Sequence, residues 1–147
     1  EGIKVISSIF FNPELSLKKG NYTKTRPNNQ DLILIKKGQV FFNKTKSLDH
    51  VQALVINKHK ILAKEGREGT KKMLSKLKKG NGGILMKLPK KKQDLRIDLP
   101  TIGLQTFKDI KIYGLRGIVI QSKKNVFLNK NQCINFANKN KIFINVI

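Results

Sequence analysis

Cysteine, tryptophan and acidic side chains are all scarce in this chain of 147 residues. The single cysteine, Cys133, excludes an internal disulfide and fits a reducing compartment. It has no histidine pair beside it, so it reads as a core or half-buried thiol rather than a metal ligand. With no tryptophan, two tyrosines and scattered phenylalanines, the chain lacks the stacking platform of single-strand nucleic-acid binders. No apolar run approaches bilayer length: the longest, residues 84–88 and 117–120, have strand dimensions. Arginine is confined to Arg26, Arg67, Arg96 and Arg116, which leaves little bidentate recognition of phosphate or bases.

What is abundant is lysine. The 31 basic residues face only nine acidic ones, for a net charge of +22. The surplus runs along the whole length and comes with an excess of asparagine and isoleucine. All three residues have AT-rich codons, so one compositional bias raises them together. The charge alone is therefore weak support for a nucleic-acid partner, although it attracts the molecule to anionic surfaces, acidic lipid headgroups included. Hydrophobic residues make up 39%, too many for a disordered tail, and the length suits one compact domain. The chain opens on Glu1 with apolar residues at once and no basic leader or small-residue cleavage site. The expectation is the interior of a longer protein, cut at a domain boundary.

Periodicity predicts an opening strand through Ile3, Val5 and Ile9, then a loop over 12–29. A helix is expected over 30–47, capped by Asn29 and weakened by Gly38. A hairpin follows, 51–57 and 61–63, with His59 at its polar turn and His50 before it, neither placed for catalysis. Thr70 suits the N-cap of a helix to about residue 79, and strand 84–88 comes next. A helix over 105–113 ends at Gly114 as C-cap, strands 117–121 and 126–128 flank a Lys-Lys-Asn turn, helix 130–138 follows, and strand 142–146 closes the sheet. Strands alternating with helices predict a single α/β domain with a mixed β-sheet flanked by helices.

Ligands of open α/β sheets sit beyond the carboxyl ends of strands. Two loops there are dense in polar residues, 65–70 and 89–101, and hold Glu65, Glu68, Asp94 and Asp98, four of the nine acids. Carboxylates at this spacing suit a hard divalent cation, and the lysines and Arg96 suit phosphate oxygens. The plain alternatives stay open: Asp98 as a turn-former, Asp94 as a surface partner of lysines, Thr70 and Thr101 as caps, Lys87 pointing to solvent.

Four pieces occur in order: Glu68-Gly69-Thr70 before Met73-Leu74; Ile84-Leu85-Met86-Lys87-Leu88-Pro89-Lys90; Gln93-Asp94-Leu95-Arg96-Ile97-Asp98-Leu99-Pro100-Thr101-Ile102-Gly103; and Gly114-Leu115-Arg116-Gly117-Ile118. Over nearly the whole chain they resemble the C-terminal domain of the LpxI-type UDP-2,3-diacylglucosamine pyrophosphatases of certain Gram-negative bacteria. Leu48-Asp49-His50-Val51-Gln52 is similar to the family's Leu-Asp-x-Gly-Gln segment. The resemblance implies a magnesium-dependent hydrolase of lipid A biosynthesis, splitting UDP-2,3-diacylglucosamine into UMP and 2,3-diacylglucosamine 1-phosphate by attack of water on the β-phosphorus. It implies residues 1–147 as a C-terminal catalytic domain whose N-terminal α/β partner domain is absent from this chain, nearly inactive alone. It also implies a cytoplasmic enzyme in peripheral contact with the anionic inner membrane, with no specific nucleic-acid partner.

On that resemblance Asp98 is the essential acid, at the metal or the attacking water, with Asp94 as the second catalytic carboxylate. The candidate magnesium ligands are Asp98, with Asp94 or Glu68 assisting directly or through water. Lys87, Lys90 and Arg96 neutralise the diphosphate, and Thr70 and Thr101 donate to phosphate oxygens. Two positions depart from the family pattern: Lys71 stands where an acid follows Glu-Gly-Thr, and Val51 replaces the glycine of Leu-Asp-x-Gly-Gln. Those departures motivate one alternative, a catalytically inactive relative. The charge motivates another, a basic nucleic-acid-associated domain.

Overall fold

The structure is a computed structural model, and it describes residues 2–44, 51–58, 60–80, 82–90 and 93–147. After a single helical turn, α1 (Ser8–Phe11), and a tighter turn at Pro13–Leu15, the chain makes β1 (Gly20–Asn21), α2 (Asn29–Lys44), β2 (Ala53–Asn57), β3 (Lys60–Lys64) and α3 (Gly69–Ser75). It continues through β4 (Ile84–Lys87), β5 (Thr101–Ile102), α4 (Leu104–Ile112), β6 (Gly117–Ile120), β7 (Val126–Phe127), α5 (Lys130–Lys139) and β8 (Phe143–Val146). Six strands form a mixed sheet in the order β1-β8-β6-β4-β2-β3; β4, β6 and β8 are parallel, and β1, β2 and β3 run antiparallel to their neighbours. The expected α/β architecture with a helix-flanked mixed sheet is present.

Residues alternate across the sheet because successive strand side chains point to opposite faces. Leu54, Ile56, Ile84, Met86, Val119 and Phe143 meet Leu34 and Ile35 of α2 on one face. Ala53, Val55, Leu85, Ile118 and Ile144 meet α3, α4 and α5 through Met73, Leu74, Phe107, Ile110, Cys133 and Ala137 on the other. Both faces being covered explains why β2, β4 and β6 read as continuous apolar runs. Cys133 is buried, as its composition suggested. Gly38, which looked like a weakness in α2, lets the helix lie against the sheet, since a Cβ there would collide with Met86 Sδ. At Gly114 (φ +67°) the chain leaves α4, with Leu115 N–H donating to Ile110 O at 2.9 Å and Gly114 N–H to Lys111 O at 3.1 Å.

Some expectations change. No strand forms at Ile3, Val5 and Ile9; the segment has no sheet neighbour, Ile3 is almost fully exposed, and one turn of helix starts at Ser8. Residues 126–127 are not in the main sheet but pair in parallel with Thr101–Ile102, a two-strand ribbon too short for periodicity to reveal. The helix start at α2 belongs to Asn28, not Asn29. Asn28 Oδ1 accepts from Asp31 N–H at 2.8 Å while Asp31 Oδ2 accepts from Asn28 N–H at 3.0 Å, a reciprocal capping box.

Asp31 has a second task. Its Oδ1 accepts from Arg116 Nε at 3.0 Å and from Arg116 Nη2, and Arg116 Nη1 donates to Gly82 O. Arg116 precedes β6, where Gly117 pairs with Ile84 of β4, so this network ties α2 to the amino ends of two central strands. Asp31 is buried, and breaking such a pair costs about 3–5 kcal/mol because it strands a charge. His50, Asp49 and Leu48 lie outside the described residues, as does His59.

Candidate functional site at the carboxyl edge

Register brings the two polar loops together. Ala53 of β2 pairs with Lys87, the last residue of β4, and Ala53 O accepts from Glu65 N–H at 2.8 Å. The end of β3, the start of β2 and the end of β4 therefore share one edge, where β6 also finishes beside Lys87 at Ile120.

Glu65 is 92% buried and fully engaged: Oε2 accepts from Gln52 N–H at 3.0 Å and Oε1 from Thr70 Oγ1 at 2.6 Å. The Thr70 hydroxyl is thus committed to Glu65 and does not cap α3, which begins at Gly69 with no side-chain cap. Lys87 does not point to solvent either. Its Nζ donates to Thr101 O at 2.9 Å, and burial lowers its pKa while the Glu65 carboxylate opposes that shift.

The following loop presents its charges differently. Asp94 is chelated by Arg96: Nε reaches Oδ1 at 2.9 Å, Nη2 reaches Oδ2 at 2.7 Å, and Arg96 N–H reaches Oδ1 at 3.0 Å. Arg96 holds the Asp94 carboxyl down at about 2. One turn on, Asp98 N–H donates to Asp94 O at 2.9 Å. The Asp98 side chain is exposed, and among the described residues it has no hydrogen bond or ion pair. Lys90 N–H donates to Gln93 Oε1 at 2.8 Å, and Thr101 Oγ1 donates to Leu99 O at 3.2 Å. Glu68 pairs with Lys76 at 3.2 Å, both side chains well exposed.

Of the residues expected at the site, the fold therefore joins Lys87 to Thr101, Asp94 to Arg96 and Thr70 to Glu65. It does not gather Asp98, Asp94 and Glu68 into one ligand set. Among the described residues no group of three or more histidine, cysteine or acidic side chains is placed to hold a metal. A hard cation that keeps several waters needs only one or two carboxylates when a substrate supplies phosphate oxygens. Of the three acids, Asp98 has the uncommitted oxygens and fits that demand.

On the α2 side of the same edge lies a cavity of about 210 Å³ walled by Phe41, Phe42, Val51 and Leu88, with Lys90, Lys124 and Gln93 as polar lining. Gln93 Nε2 is buried there with no hydrogen-bond partner among the described residues. Val51, the departure from the family's glycine, is one of its walls and is buried. Lys71, the other departure, is exposed in the first turn of α3. Sequence reasoning noted Glu65 as one of four loop acids but gave it no role, and it missed Gln93 and Lys124. A carboxylate five residues before a threonine, between strand and helix, was the signal available for Glu65.

No helix among the described residues is long and apolar enough to cross a membrane. Residues 18–145 match the family described as the LpxI C-terminal domain. The UDP-2,3-diacylglucosamine pyrophosphatase LpxI of Caulobacter vibrioides is 29% identical over 154 aligned positions, which cover 98% of this chain and 55% of that protein. The chain spans about half the length of this curated relative. With the family's match running through both polar loops and all the central strands, the chain belongs to the LpxI C-terminal domain family.

Proposed function

We propose that this chain carries the hydrolytic half of a UDP-2,3-diacylglucosamine pyrophosphatase acting in lipid A biosynthesis, with an acylated sugar nucleotide as substrate. The observation that carries the reading is the shared carboxyl edge, where half-buried Lys87 ends a strand and Lys90 and the uncommitted Asp98 follow it. In this reading Lys87 and Lys90 neutralise the diphosphate, and Thr101, whose carbonyl already holds Lys87, turns its hydroxyl from the long 3.2 Å bond to Leu99 O to a phosphate oxygen. Glu65 sets the loop by holding both Gln52 N–H and Thr70, leaving Thr70 to support rather than bind. Asp94 locks Arg96 by Nε and Nη2, so the guanidinium is presented in one orientation.

Asp98 takes the proton of the attacking water. The water oxygen bonds to the β-phosphorus, the bond from that phosphorus to the bridging oxygen breaks, and UMP leaves with the bridging oxygen. Magnesium held by Asp98 and the substrate phosphates would supply Lewis-acid polarisation of the phosphoryl group. The remaining walls come from an N-terminal domain, so the 147-residue chain by itself is expected to be nearly inactive. The cavity beside Leu88, lined about equally by apolar and polar side chains, could take only a small part of the substrate next to its phosphates.

The test is hydrolysis by the whole gene product with magnesium and UDP-2,3-diacylglucosamine, followed by chromatography of the nucleotide. The expected products are UMP and the acylated sugar 1-phosphate in equal amounts. Absence of UMP, or UDP as the released nucleotide, contradicts the proposal.

A further inference from the structure

Glu65 and Lys87 stand at the carboxyl edge with one strand between them. The β2–β3 ladder pairs Leu54 with Lys64, so its next step sets Glu65 opposite Ala53, and there Glu65 N–H donates to Ala53 O at 2.8 Å. Ala53 pairs on its other side with Lys87, and Lys87 with Ile120 of β6. Paired residues project from the same face, so Glu65, Ala53, Lys87 and Ile120 form one row across the sheet. Ala53 is fully buried and ends in a methyl group, so the carboxylate and the ammonium flank the smallest side chain of the row.

The two charges do not pair. Both Glu65 oxygens are held by uncharged donors, Gln52 N–H and the Thr70 hydroxyl, and Lys87 Nζ donates to Thr101 O. An ammonium has three protons to donate, and a direct ion pair with Glu65 would occupy part of that capacity. A carboxylate held across Ala53 favours the charged lysine and leaves its remaining protons for a ligand. The other surroundings give no such help. Ile120, Thr101, and Met73, Leu74 and Phe107 of the covering helices carry no charge. Asp94 is bound to Arg96 and Glu68 to Lys76, Asp98 is exposed, and Lys90 has the same sign as Lys87. Burial pulls Lys87 toward its neutral form, and Glu65 is the charge that acts against it.

We infer that Glu65 is a positioning residue for anion binding: its buried carboxylate keeps the Lys87 ammonium charged from across Ala53 without taking its hydrogen bonds. The inference rests on the proposed function for what Lys87 binds. Its first measurement contains no substrate.

The titration of Lys87 is read from side-chain NMR signals of the isotope-labelled chain, assigned by their loss in Lys87→Arg. Glu65→Gln removes the charge and keeps the hydrogen bonds, because the amide oxygen accepts from Gln52 N–H and the amide nitrogen donates to Thr70 Oγ1. Thr70→Val removes one bond and keeps the charge. In Glu65→Gln, Lys87 should lose its proton at a pH lower by about 0.5 or more, and in Thr70→Val at the same pH as in the unaltered chain. In the whole gene product, the alkaline fall of kcat/KM for UMP release should move to lower pH in Glu65→Gln, which loss of a merely structural support would not do. Lys87 signals unmoved by Glu65→Gln, or moved as far by Thr70→Val, overturn the inference. So does a neutral Lys87 at pH 8 in the unaltered chain, a result that needs no variant. An unmoved Lys87 with normal UMP release removes this inference alone, and the expected titration without UMP release removes the hydrolase reading alone.

Discussion

At the amino ends of β4 and β6, Asp31 and Arg116 are joined to each other, to Gly82 and to the start of α2, and every charged atom in the group has a protein partner. At the carboxyl ends of the same strands, 87 to 98, a half-buried lysine rests on one carbonyl and an exposed aspartate has no partner among the described residues. The pieces that carry the family likeness come from both ends: Gly-Leu-Arg-Gly at one, Asp-Leu-Pro-Thr-Ile-Gly at the other. Likeness to a family does not separate scaffold from chemistry. Position in the sheet and unspent hydrogen-bonding capacity do.

Variants at the two ends break this comparison in different ways. The largest expected effect is on turnover: Asp98→Asn should lower UMP release by the whole gene product about 10²–10⁴-fold, while the melting temperature stays within a degree or two. A variant with near-normal turnover would remove Asp98 from the reaction. At the amino end the effect falls on stability. Arg116→Ala should cost about 3–5 kcal/mol in urea unfolding, and a loss under 0.5 kcal/mol would show that Asp31 finds other partners. Gly117→Ala should cost about 1–3 kcal/mol, because a Cβ there enters the Phe143 ring.

Smaller effects belong to the supports of the carboxyl edge. Thr70→Val removes the 2.6 Å bond to Glu65 and leaves a buried carboxylate oxygen unpaired, for a loss of about 1–3 kcal/mol. Unchanged stability would mean water replaces the hydroxyl. The smallest concerns Asp94, whose carboxyl lies at about 2 against an ordinary 3.8 because of Arg96. Its folded value is the lower one, so the stabilisation it contributes is present above pH 3.8 and lost as pH falls through about 2. Carboxyl NMR titration should show this value, and Arg96→Ala should return it toward 3.8; an unmoved titration would contradict the chelate.

Much of the fold was legible because its signals are local. Apolar runs marked β2, β4, β6 and β8, and Gly114 marked the end of α4. The errors came where a residue's partner is distant or missing. Ile3, Val5 and Ile9 alternate like a strand, but none of the described strands pairs with them. Thr70 resembles a cap, yet Glu65 takes its hydroxyl. The bond between Asp31 and Arg116 spans 85 positions, so no spacing rule reaches it. At the site, residue types and loops were readable, but which charges neutralise each other was not. Asp94 and Asp98 look equivalent in sequence, and only one of them has a guanidinium folded over it.

The proposed function requires that phosphate be handled at the carboxyl edge. Amide NMR of the isotope-labelled chain, titrated with the product 2,3-diacylglucosamine 1-phosphate, tests that directly. The predicted result is a set of shifted signals at Gln52, Lys87, Lys90, Gln93 and Asp98, with Gly82, Arg116 and Gly117 unmoved. Shifts centred on the amino edge, or spread evenly over the surface lysines, would contradict it.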